Sequence, residues 1–138
     1  KPINLKSEII LNHINNGEIP VIAPLGIDKD NFTYNINADT VAGFIAGKLK
    51  ASKLLLLTDV SGILDNNKKL ISSLSLNEAR KIMSEDFISG GMKPKIKTCI
   101  KAMEHGVRKS TILDGRIPHS VILELFTEHG IGTQLVSS

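Results

Sequence analysis

Lys53-Leu54-Leu55-Leu56-Leu57-Thr58 places four consecutive leucines directly before the polar stretch Asp59-Val60-Ser61-Gly62. The run is too short to be a separate helix, and the loop residues that follow end it abruptly. It predicts a central strand buried on both faces, the environment of a parallel sheet with helices on each side. The composition agrees, because aliphatic residues dominate while the chain has no Trp, one Tyr and four Phe. At 138 residues the chain fits one domain, and at that size roughly two thirds of the unfolded surface can be buried.

The flanking patterns alternate in the same sense. Leu5, Ile9, Ile10 and Ile14 recur at helical spacing and stop at Asn16-Gly17, which predicts an amphipathic first helix. Ile19 to Gly26 reads as a short buried strand, and Asp28-Lys29-Asp30-Asn31 as the turn of a hairpin over 27–36. A helix is expected from Asn37 through Leu49. Leu70 to Leu76 is ambiguous and compatible with an extended piece, and Asn77 to Met83 reads as a short helix. Gly90-Gly91 opens a further helix with Met92, Ile96, Cys99, Ile100 and Met103 on one face and a stop at His105-Gly106. Thr111 to Leu113 then reads as a strand, Pro118 to Glu128 as a helix and Thr133 to Val136 as a last strand. The fold class expected is α/β, three layers (αβα) around a mainly parallel sheet, in which ligands bind beyond the C-terminal strand ends.

Several functions are excluded at this stage. The net charge is only +3 and the lysines are scattered, so no concentrated basic stripe for nucleic acid exists. Cys99 is the sole cysteine, which rules out an internal disulfide and a cysteine-rich metal site and suits the reducing cytoplasm. The apolar runs fall far below the roughly 20 residues that span a bilayer. The chain opens at Lys1 directly into a helical pattern without an initiating Met, so it is expected to be part of something longer.

Three segments lie where the fold class puts ligands. Ser89-Gly90-Gly91-Met92-Lys93-Pro94-Lys95 sets two glycines before a helix start, with Lys95 close to its N-terminal end. Free backbone N–H groups, the positive end of the helix dipole and a lysine suit a phosphate, although an ordinary glycine turn with solvated lysines has the same local pattern. Asn35-Ile36-Asn37-Ala38-Asp39 leads into a helix. Capping accounts for one of its polar residues, and a carboxylate there could instead orient a phosphate-binding lysine. Thr58-Asp59-Val60-Ser61-Gly62-Ile63-Leu64 leaves the central strand, either as a plain turn or as the lining of a nucleotide base.

Taken in order, these motifs, with Gly17-Glu18-Ile19-Pro20-Val21-Ile22 before them and Gly130-Ile131-Gly132-Thr133 after, closely resemble the acetylglutamate kinases of the amino-acid kinase family over essentially the whole chain. The Thr-Asp-Val-Ser-Gly loop is common to amino-acid kinases. Asn-Ile-Asn-Ala-Asp and Gly-Gly-Met-Lys-Pro-Lys point to the acetylglutamate branch. The resemblance implies the carbamate kinase-like fold, of which residues 1–138 would be the C-terminal, ATP-binding half.

It also implies roles. Lys95 would contact the transferring phosphoryl group, Asp39 would organise the catalytic lysines, and Asn35 would touch the amino-acid substrate. Thr58, Asp59, Val60, Ser61, Gly62, Ile63 and Leu64, with Ile88, Gly91 and Met92, would line the ATP pocket. Mg²⁺ would bridge the phosphates without a dedicated protein site. The implied reaction is ATP-dependent phosphorylation of N-acetyl-L-glutamate in arginine biosynthesis, by a homo-oligomer when full length. The family's N-terminal half, with its own catalytic lysine, glycine-rich loops and most of the acetylglutamate pocket, has no counterpart here, so turnover by the chain alone is not expected. Gly115 to Ser120 and Leu123 to Thr127 resemble the arginine-inhibited subset, in which Glu124 would face the effector, although an amphipathic closing helix explains the same residues. A non-catalytic nucleotide or arginine sensor, or the ATP half of another amino-acid kinase, remain the competing readings.

Overall fold

The computed structural model describes residues 2–88 and 90–137; Lys1, and Ser89 of the glycine motif, lie outside the described residues. Among those described, five helices and six strands form in the order α1 (Ser7–Asn15), β1 (Leu25–Ile27), β2 (Thr33–Asn35), α2 (Ala38–Lys48), β3 (Lys53–Thr58), β4 (Ser73–Ser75), α3 (Leu76–Ile82), α4 (Met92–Glu104), β5 (Lys109–Asp114), α5 (Ser120–Phe126) and β6 (Thr133–Val136). The main sheet has the order β3-β5-β6-β4, with β3–β5 and β4–β6 parallel and β5–β6 antiparallel. The α/β expectation with a mainly parallel sheet is met.

Two strand expectations are corrected. The four-leucine run does form β3, but among the described residues β3 is an edge strand paired only with β5. Leu54 and Leu56 are buried, whereas Leu57 is 47% exposed. Strand alternation sends Leu54 and Leu56 to one face and Leu55 and Leu57 to the other, and among the described residues only the first is fully covered. The stretch from Ile19 to Gly26 does not join the main sheet. Ile19 and Val21 stand 90% and 96% exposed, and Pro20 and Pro24 remove two of the N–H donors a ladder would need. Only its end, from Leu25, forms a strand, and that strand pairs with β2 in the expected hairpin, Leu25 opposite Asn35 and Ile27 opposite Thr33. Helix α1 forms where its periodicity predicts but contributes no buried residue.

The core lies between the sheet and α2, α3 and α4. Leu54, Leu56, Ile112 and Leu135 project from the strands onto Ile96, Cys99, Ile100 and Met103 of α4 and Ala79 of α3. Helix α3 begins at Leu76, one residue before the expected Asn77, because Ser75 and Glu78 complete a reciprocal capping box. Helix α5 closes the opposite face of the sheet, through the buried Glu124, whose Oε1 accepts from the Thr111 hydroxyl at 3.1 Å. Its other oxygen accepts from the Ile131 and Gly132 amides at 2.8 and 3.3 Å, tying the loop before β6 to the helix.

The packing of α2 on α4 positions everything discussed below. The buried face of α2 is Gly43, Ala46 and Gly47, a surface with almost no side-chain height. A Cβ built on Gly43 would meet Thr98 Cγ2 at 2.5 Å, and one on Gly47 would meet His105 Cβ at 2.9 Å. The axes can therefore approach only because those two methyls are missing. Gly43 facing Thr98 and Gly47 facing His105 also means that the helices run in the same direction, with both N-termini at one end.

Gly43→Ala tests this packing. Alanine gains about 1 kcal/mol of helix propensity over glycine, against a repacking cost of about 1–3 kcal/mol for an added methyl in a tight interface. Chemical denaturation should therefore show the single variant destabilised by up to about 2 kcal/mol. Adding Thr98→Ala should restore stability, because the remaining contacts, Thr98 O at 3.5 Å and Cβ at 3.8 Å, are ordinary ones. A Gly43→Ala variant as stable as the unsubstituted chain would contradict the close approach.

Candidate functional site

Four element ends meet on one rim of the sheet. Strands β3 and β5 are parallel and finish together, Thr58 beside Asp114, with the Gly115 amide donating to the Thr58 carbonyl at 2.8 Å. Helices α2 and α4 each lead into one of these strands through a short turn, so their N-termini return to the rim where the strands end. This is the C-terminal edge at which open α/β sheets bind ligands.

At the start of α2, Asn37 is the cap: its Oδ1 accepts from the Thr40 amide at 3.0 Å and from the Thr40 hydroxyl at 3.2 Å. Capping is thus accounted for by one residue, and Asp39 is released for another partner. That partner is Lys95, whose Nζ donates to Asp39 Oδ2 at 2.8 Å. The two side chains are only 20% and 22% exposed, so the pair is partly withdrawn from water, in a setting where charges interact more strongly than at an open surface. Asn35 is the last residue of β2, exposed, two positions before the cap.

The N-terminus of α4 differs from that of α3. Gly91 provides no side-chain cap and the first turn has no acid, whereas α3 is capped by Ser75 and Glu78. A Cβ on Gly90 or Gly91 would meet nothing within 4 Å, so the backbone there is open to approach. Among the described residues, the start of this 13-residue helix has no side-chain cap and no acid, and with Lys93 and Lys95 near it the N–H groups and positive dipole end are available to an anion. One turn below Lys95, the Cys99 thiol is pushed up to about 12, chiefly by burial and further by the Asp39 carboxylate. It is therefore a packed, protonated thiol and no nucleophile.

The loop after β3 is anchored at one end and open at the other. The Ile63 amide donates to Thr133 Oγ1 at 2.8 Å. Gly62 has φ +145 with Thr133 Oγ1 only 2.7 Å from where a Cβ would stand, so this turn requires glycine. Leu64 bridges to Leu70. Asp59 and Val60 remain exposed, Ser61 is half-buried, and the Thr58 hydroxyl donates to Asp59 Oδ1 at 3.2 Å. Ile63, Ile88 and Met92 belong to one buried cluster; they form the floor beneath the rim, and the open positions are Asp59, Val60, Ser61 and Gly91.

Glu124 lies elsewhere. Thr111, which it contacts, alternates with the core-facing Ile112, so Glu124 is across the sheet from Lys95. It borders a separate cleft of about 310 Å³ lined by Lys53, Lys109, Glu128, His129 and Gln134 among others. The sequence reading also passed over Asp114. Its carboxylate accepts from the Arg116 amide at 2.9 Å, Nε at 3.0 Å and Nη2 at 2.8 Å, and these bonds from Arg116 hold it at a pKa of about 2. The available signal was Asp-Gly-Arg at a predicted strand end, a spacing that lets a carboxylate reach a guanidinium two residues on. Among the described residues, no helix is long and apolar enough to cross a membrane.

Comparison with known proteins supplies the lineage. Acetylglutamate kinase of Lawsonia intracellularis is 54% identical over 134 residues, which are 97% of this chain and 45% of that protein. Acetylglutamate kinase of Acidiphilium cryptum is 60% identical over 117 residues, 85% of this chain and 39% of that protein. The chain thus spans less than half the length of these relatives. The crystal structure of N-acetylglutamate synthase from Neisseria gonorrhoeae complexed with coenzyme A and L-arginine superposes with a TM-score of 0.90 at 29% identity, covering 96% of this chain and 31% of that one. Carbamate kinase from Giardia lamblia bound to AMP-PNP shares the fold, with a TM-score of 0.70 at 19% identity, covering 100% of this chain and 46% of that one. A profile of the amino acid kinase family matches residues 3–114, and the chain belongs to that family.

Proposed function

We propose that residues 1–138 are the ATP-binding half of an N-acetylglutamate 5-kinase, which transfers the γ-phosphoryl group of ATP to the side-chain carboxylate of N-acetyl-L-glutamate in arginine biosynthesis. The observation that carries the reading is the Lys95–Asp39 pair, at 2.8 Å, set where two parallel helices begin beside the loop after β3. Sequence identity of 54–60% to acetylglutamate kinases favours this acceptor over those of other amino-acid kinases and over a sensor without catalysis.

In this reading the nucleotide lies along the rim, its base and ribose over Thr58 to Leu64 with Ile88 and Met92 beneath, and its phosphates at the α4 start beside Gly91. A carboxylate oxygen of the acceptor attacks the γ-phosphorus in line, and the bond to the β–γ bridging oxygen breaks, leaving ADP. Such a transfer needs alignment and neutralisation of spreading negative charge more than covalent help. Lys95 supplies one cation, and Asp39 keeps it at the helix starts. Asn35, at the end of β2, would donate to the acceptor. Mg²⁺, when bound with the nucleotide, neutralises phosphate charge. The phosphates would carry the ion, as Mg²⁺ sites commonly allow.

One lysine and one helix start address one side of a triphosphate, and losing a single such donor typically costs roughly a hundred- to a thousandfold in rate. Turnover is therefore assigned to this half together with an N-terminal half. The arginine-effector role of Glu124 is the secondary reading, since three internal donors already occupy that carboxylate.

Two outcomes test the function. In a full-length kinase carrying this sequence, Lys95→Ala should lower kcat by roughly a hundredfold or more while changing nucleotide affinity far less; an unchanged kcat removes Lys95 from the phosphoryl site. A hydroxamate assay for the acyl phosphate should find no product from the 138-residue chain with Mg-ATP and N-acetylglutamate, and product once a separately made N-terminal half is added. Robust turnover by the chain alone would overturn the half-site assignment.

A further inference from the structure

The Gly130-Ile131-Gly132-Thr133 motif has no part in the roles assigned above. Thr133 opens β6 opposite Ile112 and is fully buried, so it cannot touch a ligand. It lies on the face of the sheet that carries Leu135, two residues on and also fully buried. An aliphatic residue would suit that position, because a buried hydroxyl is costly unless it is bonded. The bond it makes crosses 70 positions of sequence: Thr133 Oγ1 accepts from the Ile63 amide at 2.8 Å.

That amide belongs to the peptide between Gly62 and Ile63, at the end of the candidate nucleotide loop. Gly62 has φ +145, a region open to glycine, and the peptide that follows it is the joint of the loop most able to swing. The rest of Ile63 is held without Thr133, since its side chain is fully buried and its carbonyl accepts from the Ile71 amide at 2.9 Å. What the Thr133 bond adds is the direction of the preceding peptide. Being planar and trans, that peptide also turns its Gly62 carbonyl away from Thr133. The acceptor itself has little play. A Cβ on Gly132 would stand 2.4 Å from the Ile112 carbonyl oxygen, so the residue before Thr133 lies against β5, and its amide is bonded to Glu124. At the other end of the loop the Thr58 carbonyl is fixed by the Gly115 amide at 2.8 Å. Between these two anchors stand Asp59, Val60 and Ser61, the open positions of the loop.

We infer that Thr133 is a positioning residue for nucleotide binding: its Oγ1 fixes the Gly62–Ile63 peptide, and through it the geometry in which Asp59 to Ser61 meet the base and ribose. The inference rests on the nucleotide reading of this rim. It adds that affinity depends on an oxygen supplied by the last strand. That oxygen is in place before the ligand arrives, so binding does not have to order the loop.

Calorimetry of Mg-ADP binding to the chain, run well below each thermal midpoint, tests this with three substitutions. Thr133→Val keeps the shape and removes the acceptor, and should weaken binding roughly tenfold, the scale of one hydrogen bond. Thr133→Ser keeps the oxygen and loses the methyl group, so it should lower the thermal midpoint yet bind within about twofold of the unsubstituted chain. Thr133→Ala loses both and should bind like Thr133→Val. Affinity then follows the oxygen rather than the thermal midpoint, a separation that a purely structural role would not produce. If Thr133→Val does not fold, Thr133→Ser against Thr133→Ala, which differ by the oxygen alone, decides the same question. Binding by the oxygen-free variants equal to that of the unsubstituted chain, or a loss with Thr133→Ser as large as with Thr133→Ala, overturns the positioning role and leaves the nucleotide site standing. If the unsubstituted chain binds no Mg-ADP at millimolar concentration, the nucleotide reading and the inference fall together.

Discussion

The contact on which the candidate site depends is the side-by-side packing of α2 and α4 through Gly43 and Gly47. Helices separated by ordinary side chains keep axes about 8–10 Å apart, and small residues at the crossing allow the closer end of that range. Here the absence of two methyls lets Thr98 and His105 rest on the α2 backbone. One turn toward the N-termini, the same approach brings Asp39 within hydrogen-bond distance of Lys95. An ion pair between residues 56 positions apart is thus set by a packing surface that contains no charge.

The sheet supplies the second constraint. Because β3 and β5 are parallel and each follows a helix, the chain returns the start of each helix to the rim where the strands end. The rim therefore collects helix dipole ends, unpaired N–H groups and strand-exit loops without any of them being adjacent in sequence. The buried Ile63, Ile88 and Met92 give this rim a firm apolar floor, and Thr133 Oγ1, holding the Ile63 amide, ties the loop after β3 to the last strand. Glu124 performs the equivalent task on the far face, fastening α5 to the loop before β6 through two hydrogen bonds and to Thr111 of β5 through a third.

Much of this was legible in the sequence where local physics decides. The extent of β3, the hairpin around Asp28 to Asn31, the start of α4 after Gly90-Gly91 and its stop at Gly106 follow from run length, turn chemistry and glycine. What the residues alone could not tell is decided by partners distant in sequence. Four leucines announce a strand but not its place in the sheet, and β3 lies at the edge because β5, rather than a strand on each side, pairs with it. The stretch from Ile19 to Gly26 has a strand's composition, but its prolines and lack of a partner among the described residues keep most of it out of any sheet. The Ser75–Glu78 capping box has a readable spacing, and it moves the helix start one residue ahead of Asn77. Which of Asn35, Asn37 and Asp39 serves as the cap was open in sequence. The backbone resolves it, since only Asn37 precedes the first helical residue with its side chain turned back to Thr40.

The central claim is that the joined helix starts and the loop after β3 form one anion and nucleotide site. Amide NMR of the chain titrated with Mg-ADP tests it most directly, because each backbone N–H reports its own surroundings. The account predicts shifts concentrated at Asn37 to Thr40, Thr58 to Leu64 and Gly91 to Lys93, with the Glu124 to Gln134 region across the sheet unmoved. Shifts confined to that far cleft, with the helix starts silent, would contradict it.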